Sequence, residues 1–143
     1  MKVLIDADAC PVTKLAAAMC LRSGIDCILL CDTAHEIHCD GATTFTVDKG
    51  CDSVDYALVN RVAPGDIVIT QDYGLASMCL ARGARVLHQD GWEYTQDNIG
   101  ALLFQRHESR KYRASGGRIK GPKKRACAQD QIFAAALQTM LQG

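Results

Sequence analysis

Short apolar runs of strand length alternate with helical stretches along the first 88 residues, and this alternation limits the fold more than any other feature of the chain. Lys2–Asp6 reads as a buried strand. Pro11 suits the first turn of the following helix, where its missing N–H costs nothing. Leu15, Met19 and Leu21 give that helix an apolar face, and Gly24 closes it. Asp26–Cys31 is a second buried strand, and Thr43–Val47 a third, rich in β-branched residues. A helical stretch then runs to about Val62 and is broken by Pro64-Gly65, after which Asp66–Thr70 forms a fourth strand. Asp72 opens a helix that ends at Gly83, and Arg85–His88 is the fifth strand. Strands this short, separated by helices, predict an α/β fold with a mainly parallel five-stranded sheet and helices on both faces.

The last third is organised differently. A helix is expected from Asp97 to about Arg106, then a basic, Gly-rich segment over 106–125, then a closing helix over Asp130–Leu141. Ile132, Phe133, Ala136, Leu137 and Met140 recur at helical spacing in that last helix and predict a core-facing stripe. A chain of 143 residues without internal repeats fits one compact domain. No apolar run approaches the roughly 20 residues of a membrane helix. Asp6 and Asp8 interrupt the first apolar run, which argues against a secretory signal. The expectation is a cytoplasmic protein with no membrane partner. Its eight cysteines contain no C-x-x-C pair and are expected to be reduced thiols in apolar surroundings. Cys31, His35, His38 and Cys39 have a spacing that matches no ordinary zinc finger.

The formal net charge is zero, but the charges are segregated. Residues 1–105 carry 7 basic and 14 acidic side chains, a balance of −7, whereas residues 106–125 carry 9 basic and 1 acidic, a balance of +8. An acidic body with a basic segment points to a phosphate-bearing partner. Arg106, Arg110, Arg113, Arg118, Lys120, Lys123, Lys124 and Arg125 are the candidate contacts to a nucleic-acid backbone, and binding through them would weaken with salt.

The acids recur where chemistry is expected. In open parallel sheets, ligands bind beyond the carboxyl ends of the strands, at the point where strand order reverses. Asp6 and Asp8 follow the first strand, Asp52 and Asp55 open the helix after the third, and Thr70-x-Asp72 follows the fourth. If the first and fourth strands are neighbours, these carboxylates meet in one volume, where they raise one another's pKa unless a divalent cation lies between them. Hard oxygen ligands suit Mg²⁺ or Mn²⁺, and the chemistry favoured is metal-activated water attacking a phosphodiester. Taken one at a time, Asp52, Asp55 and Asp72 also read as helix caps or first-turn acids.

The chain resembles the YaiI/YqxD-type bacterial proteins, which look like members of the PIN-like domain group. The resemblance rests on Asp6-Ala7-Asp8-Ala9-Cys10-Pro11-Val12, on Gly50-Cys51-Asp52-Ser53-Val54-Asp55, and on Gly65-Asp66-Ile67-Val68-Ile69-Thr70-Gln71-Asp72. Later matches include Gly91, Tyr94-Thr95, Asn98-Ile99, Arg106, Arg113, Gly116-Gly117, Gly121-Pro122, Asp130 and Phe133. It implies a three-layer α-β-α sandwich and a Mg²⁺- or Mn²⁺-dependent ribonuclease-type site. Asp6, Asp52, Asp55 and Asp72 would be its metal ligands, with Asp8 this family's own addition to the catalytic set; Thr70, read from its own chemistry, adds a hydroxyl to orient a phosphate or a metal-bound water. The sequence departs from the usual pattern between Cys10 and Gly24, where a glutamate is often found and no acid is present.

Two other readings stand beside a nuclease acting on RNA, single-stranded RNA in particular. One is a non-catalytic RNA-binding protein on the same fold. The other is a haloacid-dehalogenase-type phosphatase, with Asp6 as nucleophile and Asp8 as acid/base. Against the phosphatase, Cys10 stands where Thr or Val is usual, and no later acidic pair follows Thr70 at the required place.

Overall fold

The computed structural model describes residues 1–8, 10–32, 37–48, 53–117 and 125–143. In chain order its elements are β1 (Lys2–Asp6), α1 (Thr13–Ser23), β2 (Asp26–Asp32), β3 (Ala42–Val47), α2 (Ser53–Arg61) and β4 (Ile67–Ile69). There follow α3 (Tyr73–Ala81), β5 (Arg85–Leu87), β6 (Glu93–Tyr94), α4 (Gln96–Ala114) and α5 (Cys127–Leu141). The sheet runs in the order β3-β2-β1-β4-β5-β6. All its pairings are parallel except β5–β6, which is antiparallel.

The order of connections follows from this sheet. From β1 the chain crosses to β2 and β3 on one side, then returns through α2 to β4 on the other side of β1. Strand order therefore reverses between β1 and β4, the position at which α/β sheets open a ligand crevice. Register pairs Leu4 with Val68 and Ile5 with Ile69, so one step further on Asp6 and Thr70 meet at the carboxyl edge.

Val3, Leu4 and Ile5 have no exposed surface, as expected of a central strand covered on both faces. Val3, Ile5 and Ala7 turn to a core built with Ala16, Ala17, Met19 and Cys20 of α1 and Phe133, Leu137, Met140 and Leu141 of α5. Leu4, Leu30, Val68 and Val86 turn to the opposite core, closed by Leu58 of α2, Leu75, Ala76 and Cys79 of α3, and Ile99 of α4. The result is the expected three-layer α/β arrangement, with α1 and α5 on one face and α2, α3 and α4 on the other.

Four details differ from the sequence reading. A sixth strand is present: the two-residue Glu93–Tyr94 pairs after the turn at Gly91, too short to give an alternating pattern. The fourth helix extends to Ala114, because the charged residues after Arg106 are good helix formers and no Gly or Pro intervenes. Its start is fixed by a reciprocal cap, with Asn98 N–H donating to Thr95 Oγ1 (3.2 Å) and Thr95 N–H to Asn98 Oδ1 (2.9 Å). The last helix begins at Cys127, and its apolar stripe is centred on Phe133, Leu137 and Met140, so Ile132 is left exposed. Leu21 is likewise exposed, because α1 buries Ala16, Ala17, Met19 and Cys20 instead.

The ends of the sheet are tied by side chains. Lys2 Nζ donates to Asp66 Oδ2 (2.6 Å), and the same carboxylate takes the backbone N–H groups of Lys2 and Ala63. Arg125 clasps α5 to the β5–β6 turn: Nε donates to Asp130, Nη1 to Asp90 and Nη2 to the Gln89 carbonyl, at 2.6–2.8 Å. The seven described cysteines are free thiols. Among the described residues, no helix is long and apolar enough to cross a membrane.

Candidate active site at the carboxyl edge of the sheet

Asp6 ends β1, and Thr70 is the residue after β4. The Thr70 hydroxyl donates to Asp6 Oδ2 at 3.0 Å, and its oxygen accepts the Asp72 backbone N–H at 3.0 Å. The Thr70 carbonyl in turn accepts the Tyr94 hydroxyl at 3.3 Å. Thr70 is almost wholly buried, so one side chain fixes both the rotamer of Asp6 and the loop carrying Asp72. These bonds join β1, β4 and β6 at one point.

Asp72 has two tasks. As N-cap of α3, its Oδ1 accepts the N–H groups of Gly74 (2.8 Å) and Leu75 (3.2 Å), as the capping alternative anticipated. The same oxygen accepts from Arg106 Nη1 at 3.1 Å. Arg106 is thus drawn into the site by a carboxylate, although its sequence position marked it only as the start of a basic segment.

The electrostatics show which acids share the site. The carboxyl of Asp6 is pushed up to about 7, first by burial. The Thr70 hydrogen bond opposes the rise, and the negative charges of Asp55, Asp8 and Asp72 add to it. Asp8, Asp55 and Asp72 therefore come within electrostatic reach of Asp6, four acids from three separate stretches of chain, at the point where strand order reverses. Asp52, the remaining predicted acid, lies outside the described residues.

Two clefts open here. One, of about 370 Å³, is lined by Asp6, Asp8, Gln71, Asp72, Tyr73 and Arg106. The other, of about 340 Å³, is lined by Asp55, Tyr56, Asp72, Gly74, Leu75, Met78 and Arg106. Asp72 and Arg106 are the wall they share. A larger hollow of about 440 Å³, lined in part by Lys14, Leu21, His38 and Cys39, contains none of these carboxylates. Concavity alone would favour that hollow, but the convergent charge marks the two clefts.

Among the described residues, no three His, Cys, Asp or Glu side chains form a group that could hold a metal ion between them. The donor set fits a less complete arrangement. Mg²⁺ typically takes one or two carboxylates and keeps waters or substrate phosphates for the rest. A half-buried carboxylate crowded by three like charges is a group whose ionised form such a cation stabilises.

The predicted basic residues separate. Arg106, Arg110 and Arg113 lie on α4 at i, i+4 and i+7, a spacing that groups them on one side of the helix. Arg125 is the internal clasp already described. Arg118, Lys120, Lys123 and Lys124 lie outside the described residues. His88 is structural in its contacts: it stacks on Trp92 (4.4 Å between ring centres) and accepts the Asp90 N–H at Nδ1. Burial lowers its pKa, and that bond to Nδ1 suits the neutral ring. In the Cys31–Cys39 region, Cys31 is wholly buried in β2, and His35 lies outside the described residues. The aromatic residues of the site, Tyr56 and Tyr73, were missed by the sequence reading. Tyr73 adjoins Asp72 in sequence and was open to notice, whereas nothing local marks Tyr56.

Residues 4–143 match a family model described as "Uncharacterized BCR, YaiI/YqxD family". The chain is 49% identical over 141 residues to a UPF0178 protein of Exiguobacterium sibiricum, covering 99% of this chain and 96% of that one. It is 47% identical over 137 residues to a UPF0178 protein of Ruminiclostridium cellulolyticum, covering 96% and 90%. A UPF0178 protein of Lachnoclostridium phytofermentans is 41% identical over 144 residues, covering 99% and 97%.

Proposed function

This chain belongs to the YaiI/YqxD family, and we propose that it is a divalent-metal-dependent nuclease acting on RNA phosphodiesters. One observation carries the reading: Asp6 is half-buried at the reversal of strand order, where desolvation first and then the charges of Asp55, Asp8 and Asp72 push its carboxyl up to about 7. Such a cluster is costly in an empty fold and useful in one that receives a cation. The resemblance to PIN-like domains supports the same reading.

In this proposal Asp6 is the central ligand, assisted by Asp8, Asp55, Asp72 and Asp52. A bound Mg²⁺ or Mn²⁺ supplies a Lewis acid and lowers the pKa of a coordinated water. Thr70 holds the Asp6 carboxylate in place through Oδ2, and Oδ1 would be left for the cation. Asp72 spends Oδ1 on the helix cap, so Oδ2 would be its ligand atom. Arg106 neutralises charge beside the reacting phosphate, and Arg110 and Arg113 continue that positive line along α4.

The test is cleavage of single-stranded RNA with Mn²⁺ or Mg²⁺ and with a chelator. Activity requiring the metal, and lost in Asp6→Asn and Asp72→Asn, is the expected result. Cleavage surviving both substitutions rejects these roles. The non-catalytic alternative draws on the lack of a three-ligand group among the described residues. It predicts no cleavage with any metal, and RNA affinity equal or better in Asp6→Asn because repulsion is removed.

A further inference from the structure

We infer that the second cleft, between α2, α3 and α4, is a subsite for one unstacked nucleobase of a single-stranded substrate, with Tyr56 as its stacking platform. This rests on the nuclease reading, since it places the base next to the phosphate held in the carboxylate cleft. Tyr56 projects from the first turns of α2 with 64% of its surface exposed, and Met78 of α3 is 38% exposed. Both line the cleft of about 340 Å³, with Leu75 beside them.

The other aromatic residues near the carboxylates are engaged with one another. Tyr73 packs edge-on to Tyr94, Trp92 packs on Tyr94, and His88 stacks on Trp92, with ring centres 4.4–5.9 Å apart. Among the described residues, Tyr56 has no ring contact of this kind, so its face is available to a ligand. An exposed aromatic and an exposed thioether next to a charged site form a surface that water wets poorly and a flat π-system covers well.

Position selects the occupant. The two clefts share Asp72 and Arg106, so a nucleotide with its phosphate by Asp6 reaches the second cleft across the Arg106 guanidinium. A cleft of this size lies at the lower end of small-molecule sites and accommodates a single base. A paired base is buried in its own duplex and cannot enter. The subsite therefore confers preference for unpaired RNA, with little dependence on base identity, because every base presents a π-face.

The experiment is steady-state cleavage, with Mn²⁺, of an eight-nucleotide RNA and of a series carrying one abasic position each. Stacking on one aromatic is worth roughly 1–3 kcal/mol, or about 5- to 150-fold. Tyr56→Ala is expected to raise KM by about tenfold in that range with kcat nearly unchanged, and Tyr56→Phe to restore it. One abasic position should cost the parent a similar factor and cost Tyr56→Ala nothing further. If the parent shows no metal-dependent cleavage, the nuclease reading fails and the subsite with it. If the parent cleaves but Tyr56→Ala keeps its KM, if Phe does not restore it, or if every abasic substrate behaves alike, the subsite alone is overturned.

Discussion

Replacing Asp6 by Asn should stabilise the metal-free protein, and more so as pH rises. The native carboxyl titrates at about 7 against an ordinary value of 3.8, so folding favours its protonated form. The stability this confers is complete below about pH 4 and is lost as pH climbs to 7. Three units at about 1.4 kcal/mol each set an upper bound of about 4 kcal/mol. Partial solvent access brings the expectation to about 2–4 kcal/mol at pH 8. Asparagine keeps an oxygen to accept the Thr70 hydroxyl but has no charge to desolvate. Urea unfolding in a chelator at pH 5 and pH 8 measures this. With a slope of about 1–3 kcal/mol per molar urea, the variant should gain roughly 1–2 M in midpoint over the parent between the two pH values. The comparison between proteins cancels other titrations, including that of His88, whose lowered pKa makes protonation at acid pH destabilising. Adding Mn²⁺ at pH 8 should restore the parent and leave the variant unmoved. A stability difference that does not widen with pH, or a variant less stable than the parent at pH 8, refutes the argument.

Further outcomes follow from other contacts. Asp72→Asn should unfold within about 0.5 kcal/mol of the parent while abolishing cleavage, since Asn caps a helix as well as Asp, whereas Asp72→Ala should cost about 1 kcal/mol or more; denaturation curves run beside activity assays separate the two effects. Gly91→Ala should destabilise by about 2 kcal/mol or more in thermal unfolding. Gly91 has φ +94°, and an added Cβ would stand 2.7 Å from Ile132 Cγ2 and 2.9 Å from the Phe133 nitrogen. Arg125→Ala should lower stability by about 2–3 kcal/mol through loss of its three-way clasp, read by urea unfolding. Lys123→Ala with Lys124→Ala should flatten the salt dependence of RNA binding by up to about 0.7 per lost phosphate contact, read from affinities over a salt series.

Much of the architecture was legible because parallel strands buried on both faces leave uninterrupted apolar runs, as in Val3-Leu4-Ile5 and Ile67-Val68-Ile69. Gly24 and Gly83 punctuate the helices that follow. What escaped was what depends on tertiary contact. Glu93–Tyr94 has no periodicity to read and exists by pairing with Val86 and Leu87. Leu21 and Ile132 sit at plausible apolar positions, but the helix axes place them outside the packed faces. Asp6 and Thr70 could be named because both end strands, and only the adjacency of β1 and β4 makes them partners. Arg106 could not be separated from its basic neighbours, since nothing in residues 106–125 specifies which cation will meet an aspartate 34 positions earlier.

That pairing bears on how the site would work. Arg106 pairs with Asp72 at 3.1 Å, and it also lines both clefts. A cation among the carboxylates would take over the neutralisation that Arg106 provides, which frees the guanidinium for an incoming phosphate. Exchange of partners of this kind ties substrate affinity to metal occupancy without a moving lid. Arg106→Lys keeps the charge but loses the planar fork that can hold a phosphate through two parallel hydrogen bonds. The lysine variant should therefore keep metal-dependent cleavage with a KM raised by roughly an order of magnitude, as expected for loss of a charge-assisted bidentate contact. A variant with unchanged KM would mean that Arg106 serves only to hold Asp72.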